Sequence, residues 1–134
     1  MQILFAWDAN QGADDRVAEA VTRPTADEPH KQSVRRRALE MARGAWIVRR
    51  DVEQRINALS PKWPMRRQPA TDRCVLLLGT WELLHGDAPG KTVINDCVEL
   101  AKTFGGPDSG KFVNALLDEV MKSRDEQYAG LTEL

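Results

Sequence analysis

Two segments near the end of the chain carry residue types that can grip a single-stranded nucleic acid. Lys91, Thr92, Asn95 and Lys102 lie in one, and Asp108, Ser109, Lys111, Phe112 and Asn114 in the other. Single-stranded RNA is held by cations on its phosphates, by planar groups stacked on its bases, and by amides and carboxylates that read base edges. The two segments supply all three kinds of group, and each opens a predicted helix whose first amides can face a phosphate. Every one of these residues also has a plainer use. Asp108 and Ser109 can cap a helix, Phe112 can fill core, and Asn95 and Asn114 can bond neighbouring helices.

The patterns that would make an enzyme are absent or broken. Gly86-Asp87-Ala88-Pro89-Gly90-Lys91-Thr92 resembles a phosphate loop, but it has three residues between its glycines where that motif has four. The motif also follows a β-strand, whereas the residues before Gly86 read as helix, and Pro89 has no amide hydrogen to donate. His30 and His85 are the only histidines, and neither has a partner at a spacing that would close a tetrahedral metal site. Cys74 and Cys97 are single and lie in apolar stretches, so they read as buried thiols suited to a reducing cytoplasm. The carboxylates scatter over predicted helix faces. No catalytic residue, metal or cofactor is expected.

The elements that must position these residues are helices. Apolar residues recur every three or four positions, and no segment alternates as a strand would. Residues 1–9 read as a helix with no capping residue before its apolar run, ended by Asn10-Gln11-Gly12 with Gly12 free to adopt a left-handed cap. A short helix over 13–21 carries Ala13, Val17, Ala20 and Val21. Residues 22–32, polar with two prolines, read as a surface loop. One long helix is predicted over 33–59, its stripe running Val34, Ala38, Met41, Ala42, Ala45, Val48, Val52, Ile56 and Leu59. Residues 60–70 form an irregular connection with a helical turn near Met65-Arg66-Arg67. A helix over about 72–85, capped by Thr71-Asp72, is apolar on most sides and should be central. After a turn at 86–90, a helix over 91–104 buries Val93, Ile94, Cys97, Val98, Leu100, Ala101 and Phe104. Gly105-Gly106-Pro107 breaks the chain, Asp108-Ser109 recaps it, and a last helix over 109–122 buries Phe112, Val113, Leu116, Leu117, Val120 and Met121. Residues 123–134 read as a frayed tail.

At 134 residues, with 42% hydrophobic and 29% charged residues, the chain fits one globular domain with a true core. Nothing approaches the roughly 18 apolar residues of a membrane span, and the first residues lack the basic region and cleavage site of a signal peptide. The net charge of −1 is unevenly spread. Residues 31–73 carry twelve basic and four acidic groups, a net +8, between flanks at −4 and −5. That segment makes either a local positive face or an ordinary solvated helix surface.

Taken in order, the C-terminal segments resemble one family. Thr71-Asp72-Arg73 precedes an apolar helix ending Trp81-Glu82-Leu83-Leu84. Then come Val93-Ile94-Asn95-Asp96-Cys97-Val98-Glu99-Leu100-Ala101-Lys102-Thr103-Phe104-Gly105 and Asp108-Ser109-Gly110-Lys111-Phe112-Val113-Asn114-Ala115-Leu116-Leu117-Asp118. This order and spacing resembles the signature of the NusB family, and Gln2-Ile3-Leu4-Phe5-Ala6-Trp7-Asp8 resembles the end of that family's first helix. The resemblance covers nearly the whole chain, strongly over 72–120 and weakly over 10–70. Asp96 stands where the family usually has glutamate, and Ala115 where it usually has glycine. Family members usually carry a further arginine-rich turn or two that helps grip RNA. This sequence starts after that point, with an uncapped first helix, and reads as having an upstream start or a lost arm and lower RNA affinity.

The resemblance implies an all-α fold, a compact bundle or pair of bundles of about six to seven helices. It implies a single RNA-binding domain over 1–134, with an N-terminal half over about 1–60, a C-terminal half over about 71–122 and a tail over 123–134. The implied function is transcription antitermination without catalysis. With the small-subunit ribosomal protein also called NusE, the protein would bind the single-stranded boxA element of nascent ribosomal RNA transcripts and help RNA polymerase resist termination, in the cytoplasm. Family members occur as monomers or homodimers. The resemblance points to Asp108 with Lys111 and Phe112 for RNA. Asp72, Arg73 and Glu82 are the expected contacts for the ribosomal protein. Two rival readings are a protein-only helical scaffold or dimer, and the NusB-like domain found in some ribosomal RNA cytosine methyltransferases, although this chain has no room for a methyl-transfer domain.

Overall fold

A computed structural model describes the backbone of residues 1–22 and 30–132 and the side chains of 1–21 and 33–127. Seven helices follow one another: α1 (Gln2–Asn10), α2 (Asp15–Thr22), α3 (His30–Ile47), α4 (Arg49–Leu59), α5 (Ala70–His85), α6 (Gly90–Phe104) and α7 (Ser109–Thr132). A 3-10 turn at Met65–Arg67 joins α4 to α5, and no strand occurs among the described residues. The all-α architecture is the expected one. Buried side chains from both halves, among them Leu4 and Trp7 of α1, Ile56 of α4, Leu76 of α5 and Val113 and Leu117 of α7, form one continuous core.

α1 buries Ile3, Leu4 and Trp7 and ends in a left-handed turn. The left-handed residue is Gln11 (φ 58°), not the predicted Gly12. The Gly12 amide instead closes onto the Trp7 carbonyl at 3.1 Å and the Gln11 amide onto that of Asp8 at 3.3 Å. The fully buried Trp7 donates from its indole to the Asp14 carbonyl at 2.9 Å. Asp14 caps α2 by accepting from the Arg16 amide at 2.8 Å. An exposed Arg43–Asp15 ion pair ties α3 to α2. Among the described side chains of α2 only Ala18 is fully buried, whereas Ala13, Ala20 and Val21 stay at the surface. The loop predicted over 22–32 lies largely outside the described residues, and its last three residues already belong to α3.

The single helix predicted over 33–59 is two. The chain breaks at Val48 (φ −94°, ψ 10°), where the Arg49 guanidinium takes the Trp46 carbonyl at 2.9 Å. A straight helix would have reserved that carbonyl for the amide of residue 50. The bend keeps Ala42, Ala45, Val52 and Ile56 on the core but lets the ends of the predicted stripe overhang. Val34 is 65% exposed, and Leu59 is also at the surface.

α5 is the central helix, with no exposed residue before His85, and it packs against α1, α3, α4, α6 and α7. Gly79 permits that crowding, since a Cβ there would lie 2.8 Å from both Cys97 Sγ and Leu117 Cδ1. The helix begins at Ala70 after Pro69 with no side-chain cap, so Thr71 and Asp72 sit inside its first turn rather than capping it. α6 and α7 form an antiparallel hairpin against it. α7 runs on to Thr132, so the tail predicted over 123–134 is helical through its described part. Phe104, expected in the core, is 56% exposed because α6 ends there, beyond the neighbours that cover Ala101.

Candidate nucleic-acid interface

The turn between α6 and α7 is built by glycine and one hydroxyl. The Gly105 amide closes α6 onto the Ala101 carbonyl at 2.8 Å. The Gly106 amide donates to Ser109 Oγ at 2.9 Å, while the Ser109 amide donates to the Gly106 carbonyl at 3.1 Å. This reciprocal pair buries Ser109 and takes up a backbone donor, so Ser109 is a structural lock at the start of α7. Asp108 remains exposed beside it, and its carbonyl accepts the Phe112 amide at 3.1 Å.

The side chains around this turn are drawn together by close helix packing. Gly110 lies against the stem of Lys102, where a Cβ would come within 2.9 Å of Lys102 Cγ. Lys102 therefore crosses the first turn of α7, with its ammonium exposed and 3.7 Å from Glu99. Lys111 is exposed, and Asn114 stands one helical turn further along on the same open face. Phe112 is half-buried, packed against the core with part of its ring open to solvent. The structure thus gathers Lys102, Asp108, Ser109, Lys111 and Phe112 at one end of the hairpin. Cations, a carboxylate and a partly open aromatic ring meet there, which can engage phosphate and stack a base.

Lys91, Thr92 and Asn95 are not part of that group. All three are exposed on α6, but they lie toward its start, next to Met121 and Arg124 of α7, which crowd Gly90. A helix rises 1.5 Å per residue, so about 20 Å separates Lys91 from the α6–α7 turn. The antiparallel hairpin places the two helix starts at opposite ends.

Phe104 is the residue sequence reasoning missed. Its exposed ring stands at the same turn, above a shallow apolar cleft of about 510 Å³ shared with Met1, Phe5, Val21 and Thr71. An aromatic at the last position of a helix before two glycines was the available signal, masked by its fit to the apolar stripe.

The residues expected to meet a protein partner are placed differently. Asp72 is 4% exposed, and its Oδ1 has no hydrogen-bond partner. Arg73 donates to Asp8 and to the Gln68 carbonyl, each at 2.6 Å, tying α5 to α1. Glu82 is half-buried. Burial, and then Asp96, pushes its carboxyl above the usual range, against the pull of the amino terminus and Arg37. Burial also drives the thiols of Cys74 and Cys97 up to about 12, with Asp8 acting on the first and Glu82 and Asp96 on the second. Among the described residues no cluster of histidine, cysteine and carboxylate could hold a metal, and no helix is long and apolar enough to cross a membrane.

Comparison with known proteins places this geometry among relatives. The model of the NusB family matches residues 1–122. The transcription antitermination protein NusB of Herpetosiphon aurantiacus is 34% identical over 131 residues, covering 95% of this chain and 88% of that one. That of Anaeromyxobacter dehalogenans is 39% identical over 121 residues, covering 90% and 83%. Among solved structures, T. maritima NusB superposes with a TM-score of 0.75 at 33% identity, covering 90% of this chain and 83% of that one. A chain from a complex of the antitermination factors NusB and NusE with double-stranded RNA gives 0.77 at 21% identity, over 91% and 89%, a likeness of fold.

Proposed function

The chain belongs to the NusB family, and from that premise we propose that it is a transcription antitermination factor that binds RNA through the α6–α7 turn. The RNA is the single-stranded boxA element of nascent ribosomal RNA transcripts, held together with the ribosomal protein NusE so that RNA polymerase resists termination. The protein acts by binding rather than catalysis, in the cytoplasm where transcripts are made. The observation that carries the reading is the meeting of Lys102, Asp108, Lys111 and Phe112 at one end of the hairpin. Lys102 and Lys111 hold phosphates, Phe112 and Phe104 offer ring faces to bases, Asp108 reads a base edge, and Ser109 fixes the turn. Lys91, Thr92 and Asn95 would meet only RNA that runs the length of α6. For NusE, Glu82 has a side chain to offer, whereas Asp72 is buried and Arg73 is engaged in holding the end of α5 to α1.

The test is a fluorescence titration of a short boxA-like RNA, with and without NusE, at two salt concentrations. Saturable binding that tightens with NusE and weakens with salt is expected, and Lys111→Ala should weaken it and lower the salt slope by about 0.7. A well-folded sample that binds under none of these conditions would leave a protein-only scaffold as the better description.

A further inference from the structure

A second cleft lies away from the α6–α7 turn. It encloses about 600 Å³ between α1, the α3–α4 bend, the 3-10 turn and the start of α5. Four arginines line it, Arg49, Arg50, Arg66 and Arg73, against two carboxylates, Asp8 and Glu53. Asp8 is already neutralised by Arg73. Among the described residues no carboxylate is paired with Arg50 or Arg66, and both are exposed. Arg49 is fixed in place, with its guanidinium carbon 4.5 Å from the centre of the Trp46 ring and Nη1 on the Trp46 carbonyl. Trp46 is in turn set edge-to-face against the buried Trp7, at 5.8 Å and 73°. A held guanidinium loses little freedom on binding, and arginine forks match phosphate oxygens. The cleft is therefore a cationic rim over a partly apolar floor, a combination suited to a nucleotide rather than to a bare acidic side chain.

We infer that this cleft takes a phosphate-bearing stretch of RNA beyond the short element held at the α6–α7 turn. α1 and the start of α5 stand between the two places, since Leu4, Asp8 and Arg73 line the arginine cleft while Phe5 and Thr71 line the one at Phe104. A chain crossing a helix of about 10 Å diameter reaches from one to the other. The inference rests on the RNA-binding reading above, and it also assigns the excess positive charge of residues 31–73 to a specific surface.

The test compares two RNAs with the same boxA-like core, one short and one extended by several nucleotides on each side. The parent protein should bind the extended RNA more tightly. The double variant Arg50→Gln, Arg66→Gln should bind the short core as the parent does and lose most of the added affinity. Two lost phosphate contacts lower the salt slope on the extended RNA by about 1.4. Between about 50 and 200 mM salt the parent should then lose roughly sevenfold more affinity than the variant. Arg55→Gln, set against Arg50→Gln alone, is the charge-matched control, because Arg55 lies on the other face of α4, toward α7. An unchanged salt slope in the double variant, or an equal drop in the Arg55 control, would overturn the assignment while leaving core binding at Lys111 intact. Failure of the parent to bind even the short core would remove both readings.

Discussion

Replacing Arg73 with alanine should cost the fold about 2 kcal/mol, and it separates a structural arginine from one that touches a partner. The Arg73 guanidinium reaches Asp8, 65 residues away in sequence, and the Gln68 carbonyl, each at 2.6 Å. The paired side chains are 27% and 30% exposed, so solvent screens the contact only in part. Hydrogen bonds to a charged group contribute about 1.5–3 kcal/mol net when buried. One charged pair and one carbonyl contact, discounted for that exposure, leave about 2 kcal/mol. Unfolding 134 residues carries an entropy of about 0.28 kcal/mol per kelvin, so the melting temperature should fall by about 7 °C. Thermal unfolding followed by circular dichroism measures this directly. Asp8→Ala should reproduce part of the loss, and the double variant should be less destabilised than the two singles added, showing a coupling of about 1 kcal/mol. Binding to NusE, measured well below the melting temperature, should be unchanged in Arg73→Ala. A melting temperature within about 1 °C of the parent, together with weakened NusE binding, would refute the structural assignment and return Arg73 to the partner surface.

Other perturbations test other parts of the structure. Glu82→Gln should raise the melting temperature near neutral pH. A carboxyl whose folded pKa is raised binds its proton more tightly in the folded state, so stability falls as pH climbs from the ordinary glutamate range through the raised value. The advantage of the variant should vanish in acid, and a pH-independent difference would count against it. Cys74 and Cys97, both buried with thiols near 12, should resist alkylation in the native protein at mildly alkaline pH and react fully once unfolded, as read by mass spectrometry. Gln11→Gly relieves a left-handed residue and should stabilise by about 0.5–1 kcal/mol, seen as a rise of about 2–4 °C in melting temperature.

Much of the fold is legible in the sequence because helical periodicity marks which residues must leave water. Cys74 to Leu84, apolar on most sides, reads as a central helix and is one. Gly105-Gly106-Pro107 reads as a break and is one, because no other residues make so poor a continuation of a helix. The chemistry of the residues proposed to meet RNA is equally visible, since lysine, asparagine and aromatic types announce what they can bind. What periodicity does not encode is which neighbour covers each apolar face, or where a helix outruns its neighbours. Phe104 fits the stripe of α6 but projects beyond it, and Val34 does the same on α3. Asp72 reads as a cap and is buried, because Pro69 starts α5 earlier. The break at Val48, where the Arg49 side chain takes the Trp46 carbonyl, leaves no mark in the apolar stripe, which runs on through it. The grouping of site residues is likewise tertiary. Lys91 and Lys111 both stand near the start of a helix and look equivalent in one dimension. Antiparallel packing of α6 on α7 sends them to opposite ends, and the meeting of α4 and the 3-10 turn with α1 and α5 brings Arg49, Arg50 and Arg66 to one cleft.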